Sequence, residues 1–280
     1  LRRRQRQMCI RDRLSKESEN YIVSIRLMPD GLSFSGYNPH IKGSFFIHEE
    51  KWNSHDSYLK QVEDFFFAHD FLSCTFKRFY VVQAHSDYTL VPLSLFLEKK
   101  ADDLYAFTFG PAAERQVLYQ SLKDDNQVLL YSMMPEVYTF CTRSLVNPVF
   151  VHTQSAVFTF WKQRSLAMAF QVMFLSLSGD RLTIAYYRQG QLLFTNYFQV
   201  TAYKEILYYT LYIWKQQQFD VQKDQLYLSG EAQQTKELKM ALTAYIQHVD
   251  MLDYPSEVYL MGTEILRTPI DLIALSLCEL

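Results

Sequence analysis

AFQVMFLSLSGDRLTIAYYRQGQLLFTNYF, residues 169–198, decides the fold. Apolar side chains alternate with small or polar ones on either side of Ser178-Gly179-Asp180 and again around Gln189-Gly190. Consecutive antiparallel strands joined by tight turns read in this way, so a three-stranded meander is expected. It has an earlier counterpart. YIVSIRLMPDGLSFSGY, residues 21–37, alternates around Pro29-Asp30-Gly31, and Phe45, Phe46 and Ile47 supply a third strand. Leu27-Met28-Pro29-Asp30-Gly31-Leu32 and Leu177-Ser178-Gly179-Asp180-Arg181-Leu182 put an Asp-bearing turn at matching points.

Outward from each meander the order repeats. After the first, Ser54 can cap a helix carrying Tyr58, Leu59, Val62, Phe65 and Phe66 at helical spacing, and Phe79 to Ala84 reads as a short buried strand. Gln116 to Leu122 and Gln127 to Tyr131 flank a Lys123-Asp124-Asp125-Asn126 turn, with helices expected from Pro135 to Leu145 and from Thr153 to Lys162. After the second comes an amphipathic helix, Ala202 to Gln217, with Tyr203, Ile206, Leu207, Leu211 and Trp214 along one face. The strand Gln225 to Ser229 with Gly230, a helix from Gln234 to Gln247 and an apolar helical tail from Pro269 to Leu280 complete it. Three strands, helix, strand, helix, given twice, describes an α/β chain of two similar halves, residues 14–165 and 166–280, meeting near Phe160 to Ala169.

The totals suit packed halves. The chain has 280 residues, 49% hydrophobic and 16% aromatic, with 8 Gly and 8 Pro, which is the composition of a globular protein and not of a linker. Cys9, Cys74, Cys141 and Cys278 form no C-x-x-C pair, so a zinc knuckle or thioredoxin-like motif is absent and a reducing, cytoplasmic setting is expected. Leu1 to Arg13, LRRRQRQMCIRDR, has no apolar periodicity and reads as a non-native scar; the competing reading is a basic arm for nucleic acid. Without it, six arginines and one aspartate leave totals of 28 basic and 30 acidic residues, so the body carries 22 and 29, a formal net charge of −7. An acidic body argues against a nucleic-acid footprint. The start lacks the apolar region of a signal peptide, and the longest apolar stretch, Leu166 to Leu177, is too short to span a bilayer.

The doubled order resembles the duplicated ribonuclease-H-like fold of actin and the sugar kinases, and within it the degenerate members such as the pilus-assembly protein PilM. IRLMPDGLSFSGYNP, residues 25–39, LYLSGE, residues 226–231, and the closing LIALSLCEL resemble a family of uncharacterised Bacteroidetes proteins known as a domain of unknown function. The resemblance covers nearly all of the chain after Arg13 and brings no activity to carry over.

An ATPase of the actin-like class needs an acidic residue and small or hydroxylated residues at each of two hairpins. Backbone amides must reach the phosphates while a carboxylate holds the metal's water. The candidates here are Asp30 with Gly31 at the first hairpin, Asp180 at the second, and Gly230 after an apolar strand for the adenosine side. Neither strand carries Asp-x-Gly in place, Arg26 and Leu27 fill the first, and one glycine stands where active relatives show two. Asp30 and Asp180 therefore read as turn residues, no catalytic or metal-ligating residue is assigned, and no cofactor is expected, Mg-ATP being disfavoured. Other chemistries also lack their residues. The nearest miss to a P-loop is Gly31 to Gly36, with no lysine after it. The first and fourth strands carry no acid for a two-metal nuclease, His48-Glu49-Glu50-Lys51-Trp52 is not H-E-x-x-H, and no G-x-S-x-G elbow exists. Cys74 and Cys141 read as small buried hydrophobes before they read as nucleophiles.

Among 20 Tyr and 21 Phe, Tyr208 and Tyr212 are surplus to the core stripe of their helix and are candidate contact residues. The expectation is an inert actin-like fold acting as a binding or scaffold module, with a protein partner or a second copy of itself, and without nucleic acid or membrane. The alternative is a nucleotide-binding ATPase or kinase-like enzyme using a variant site in the cleft between the halves, lined by Asp30, Asp180 and Gly230.

Overall fold

The computed structural model describes residues 17–52, 56–84, 87–111, 114–122, 125–230 and 232–278. Leu1 to Arg13, Ser54 and the Lys123-Asp124 pair lie outside them. The chain divides within one helix, Thr153–Leu166: one compact unit runs to Ser155 and takes in Glu257–Arg267, and the other comprises Ala156–Ser256 and the residues from Thr268 on.

In the first unit β1 (Ile22–Met28), β2 (Gly31–Tyr37), β3 (Phe46–Lys51), β4 (Arg78–Gln83) and β8 (Pro148–His152) make a five-stranded sheet in the order β3-β2-β1-β4-β8. β1 pairs antiparallel with β2 and parallel with β4. Val23, Ile25, Leu27 and Phe34 on one face bury against α1 (Tyr58–Ala68) and α3 (Pro135–Ser144), where Val62, Phe65, Val137 and Cys141 meet them. Ser57 caps α1, its side chain accepting from the Lys60 amide at 3.3 Å. Each fully buried side chain of this kind contributes roughly 1.5–3 kcal/mol. The opposite face of β1 and β2 carries Ser24, Arg26, Ser33 and Ser35, all buried, with Ser24 and Ser35 hydrogen-bonded at 2.8 Å. A small antiparallel sheet, β5 (Tyr88–Pro92), β6 (Gln116–Leu122) and β7 (Gln127–Met133) in the order β5-β7-β6, packs α2 (Ala101–Phe109) over Val117, Val128 and Leu130.

In the second unit β9 (Val172–Ser178), β10 (Arg181–Arg188), β11 (Gln191–Gln199), β12 (Gln225–Ser229) and β13 (His248–Met251) follow the order β11-β10-β9-β12-β13, the topology of the first large sheet. One face buries Met173, Leu175, Leu182 and Ile184 against α5 (Tyr203–Gln216) and α6 (Ala232–Leu242), which bring Ile206, Ile213, Trp214 and Leu238. The other face lies under α4 (Thr153–Leu166), where Trp161 stacks on Phe174 at 5.3 Å and the Tyr187 hydroxyl donates to the Phe158 carbonyl at 3.1 Å. The remaining helices are α7 (Ser256–Met261), which belongs to the first unit from Glu257 on, and the apolar α8 (Ile270–Leu277) in the second.

Three expectations are corrected. Helix α6 ends at Leu242, not at Gln247, because Thr243 to Tyr245 turn the chain into β13. Tyr203 is not on the core face: it is 38% exposed, with its hydroxyl donating to the Glu237 carbonyl at 2.9 Å. Beyond the elements expected, β5, α2, β8, β13 and α7 are also present.

Candidate functional site

Strand register places the four candidate residues at equivalent corners of the two large sheets. Met28 pairs with Gly31, leaving Pro29-Asp30 as the turn, and Ser178 pairs with Arg181, leaving Gly179-Asp180. Asp30 and Asp180 are therefore equivalent, and each turn carbonyl accepts from the residue just past the third strand: Trp52 at 2.9 Å in one unit, Val200 at 2.7 Å in the other. Gln83 pairs with Leu27, whereas Gly230 lies beside Leu177, one step beyond the Ser176 to Ser229 pair. Gly230 is thus the counterpart of Gln83. Within the first unit Asp30 and Gly31 share one corner; within the second Asp180 and Gly230 share the matching one.

Packing accounts for the two glycines. A Cβ on the buried Gly31 would collide with the Glu50 carbonyl of β3. Gly230, at φ +136°, lies so close to β9 that a Cβ would stand 2.6 Å from the Leu177 carbonyl oxygen. Both aspartates are exposed. The Asp180 carboxylate accepts from the Gln199 amide at 3.0 Å.

The corner of the first unit opens into a groove. A cavity of about 250 Å³ is lined by Met28 and Pro29 at the end of β1, Gln83 and Ala84 at the end of β4, Met133 and Met134 at the end of β7, Tyr58 at the start of α1 and Val137 in the first turn of α3. Pro135 at the first helical position of α3 fixes where β7 gives way to helix and so where Met134 stands. Val137 and Met133 are buried, while Met134 is 45% exposed at the lip. Tyr58 meets Trp52 edge-to-face at 5.9 Å, and burial pushes its phenol well above the ordinary tyrosine range. A second cavity of about 550 Å³ shares Gln83, Met133 and Met134 and continues along Pro111, Glu114, Arg115 and Ser132. There the Tyr105 hydroxyl and Ser132 Oγ are 2.9 Å apart, and an Arg115 guanidinium nitrogen stands 3.4 and 3.5 Å from them.

Sequence reading reached the corner but missed Met28, Met133, Met134, Tyr58 and Arg115 as lining residues. One signal was available: Met28-Pro29 and Met134-Pro135 repeat a Met-Pro pair, the first methionine ending β1 and the second following the last residue of β7. The groove is built for apolar contact, since thioether side chains adapt to the shape of what they meet. Among the described residues no group of three His, Cys, Asp or Glu could hold a metal ion, and no helix is long and apolar enough to cross a membrane. Burial pushes the Cys141 thiol up to about 12 and the Cys278 thiol up to about 11, the opposite of an activated nucleophile.

The family model described as "Protein of unknown function (DUF3822)" matches residues 12–249. Among solved structures the chain is similar to a protein of Bacteroides thetaiotaomicron with an actin-like ATPase fold and unknown function. The identity is 28% and the TM-score 0.78, over 94% of this chain and 98% of that one. It is similar in fold to a chain of the PilM-PilN type IV pilus biogenesis complex, at 12% identity and TM-score 0.51, over 88% of this chain and 91% of that one. Among curated proteins nothing matches. The likeness over nearly the whole length makes this an actin-like ATPase fold.

Proposed function

The chain belongs to the DUF3822 family, and from that premise we propose that it is a protein-binding module that has kept the actin-like fold without ATP hydrolysis, taking a segment of a cytosolic protein partner in the groove of its first unit. One observation carries this reading. Where an actin-like ATPase needs a carboxylate and amides for phosphate at the end of its first strand, this chain places Met28 and Pro29, with Met133, Met134 and Val137 beside them. Transfer of a phosphate's charge into such surroundings is unfavourable without compensating donors, whereas burial of an apolar side chain there is favourable at about 25 cal/mol per Å². PilM, a member of a pilus-biogenesis complex with PilN, offers a precedent for the fold in an assembly.

A second reading, nucleotide binding, is favoured by the other corner. Gly179, at φ +60° with nothing within 4 Å of where a Cβ would stand, precedes Asp180 there, and a glycine of that kind permits close backbone approach. Calorimetric titration of the full chain with Mg-ATP separates the two. The binding-module reading expects no heat beyond dilution. A low-micromolar dissociation constant, about −8 kcal/mol, that is lost in Asp180→Ala would establish the nucleotide reading in its place.

A further inference from the structure

We infer that the groove selects a peptide in which a large apolar side chain lies close to an aspartate or glutamate, with Arg115 receiving the carboxylate. This rests on the peptide-binding reading above and names the chemistry of the bound segment. Arg115 lines the polar extension beside Ser132, and the extension shares Met133, Met134 and Gln83 with the apolar groove. Its protein contacts are neutral: the Tyr105 hydroxyl at 3.4 Å and Ser132 Oγ at 3.5 Å. At those lengths they do little for a guanidinium with five donors. Glu114, exposed on the same wall, forms no ion pair with it among the described residues. A planar cation whose hydrogen-bond partners are only hydroxyls pairs best with a carboxylate, which it can hold through two parallel bonds. A phosphate dianion fits less well, because Glu114 stands beside the single cation among the lining residues.

The test is selection of random dodecapeptides displayed on phage, run in parallel against the wild-type chain, Arg115→Gln and Met134→Glu. Both side chains are exposed, so the variants should fold, and matching melting temperatures verify it. The wild type should enrich sequences with Leu, Ile, Met or Phe within a few residues of Asp or Glu. Arg115→Gln should keep the apolar preference and lose the acidic one, and Met134→Glu should abolish enrichment. A selected peptide, synthesised with an amidated C-terminus and its acid changed to the amide, should bind the wild type roughly tenfold or more weakly and Arg115→Gln no differently. An acid-free consensus, or an acidic preference that survives Arg115→Gln, overturns the role of Arg115 and leaves the groove reading standing. Enrichment indifferent to Met134→Glu, or no enrichment at all, overturns the groove reading itself.

Discussion

Gly31 and Gly230 share a constraint: each faces a carbonyl of the adjacent strand, Glu50 in one case and Leu177 in the other. Their small size is a requirement of strand packing and calls for no ligand. Gly31→Ala should therefore destabilise the fold by about 2 kcal/mol, lowering the melting temperature by roughly 4–8 °C. Gly179→Ala, with open space around the missing Cβ and only a φ of +60° to strain it, should cost about 1 kcal/mol or less. Calorimetry of the two variants checks the order. The cysteines divide in the same local way. Burial holds the Cys141 thiol near 12, while Cys74 is half-buried, so iodoacetamide at pH 8 should label the Cys74 peptide well before the Cys141 peptide in a mass-spectrometric time course.

At the scale of elements, α5 shows what periodicity can and cannot tell. Ile206 and Trp214 were legible as core because helical spacing sets them on one face, and both are buried. The same spacing sets Tyr203 on that face, yet it is the first residue of the helix, exposed, with its hydroxyl turned to the Glu237 carbonyl. The start of α5 is held by Glu205, whose carboxylate accepts from the Thr201 amide at 2.7 Å and the Ala202 amide at 3.1 Å. Those bonds hold the carboxyl below the ordinary 4.5. A depressed folded value means the contribution is present above the unfolded pKa and is lost as pH falls through the folded one. Glu205→Gln should thus melt lower than the wild type at pH 7, and the difference should shrink toward zero as the pH is brought below 4.5. On the outer face Tyr208 and Tyr212, 61% and 51% exposed, stack at 5.8 Å. Changing both to alanine should leave stability within about 0.5 kcal/mol, which thermal melts can verify. Strands β5, β8 and β13 escaped the sequence reading because runs of five and four residues cannot be told from helix or loop by periodicity alone, whereas β12, equally short, is marked by the Gly230 that follows it.

For the whole molecule, duplication was legible because each meander carries its own turn chemistry within a few residues of sequence, and the matched registers at Asp30 and Asp180 follow from it. The groove was not legible. Met28, Tyr58, Gln83, Arg115 and Met133 come from separate elements, and only the parallel pairing of β1 with β4 and the placing of β7 bring the elements together. The same distribution makes the groove a test of the account. Of nine methionines, three line it, so carbon-13 labelling of the methionine methyl groups turns each into a resonance at or away from the site. Titration with a phage-selected acidic peptide should shift or broaden the methyl signals of Met28, Met133 and Met134 and leave Met173, Met240 and Met251 of the second unit unmoved, while Mg-ATP should perturb none of them. Shifts induced by Mg-ATP at these methyls, or peptide-induced shifts confined to the second unit, would contradict a binding module built on an actin-like fold.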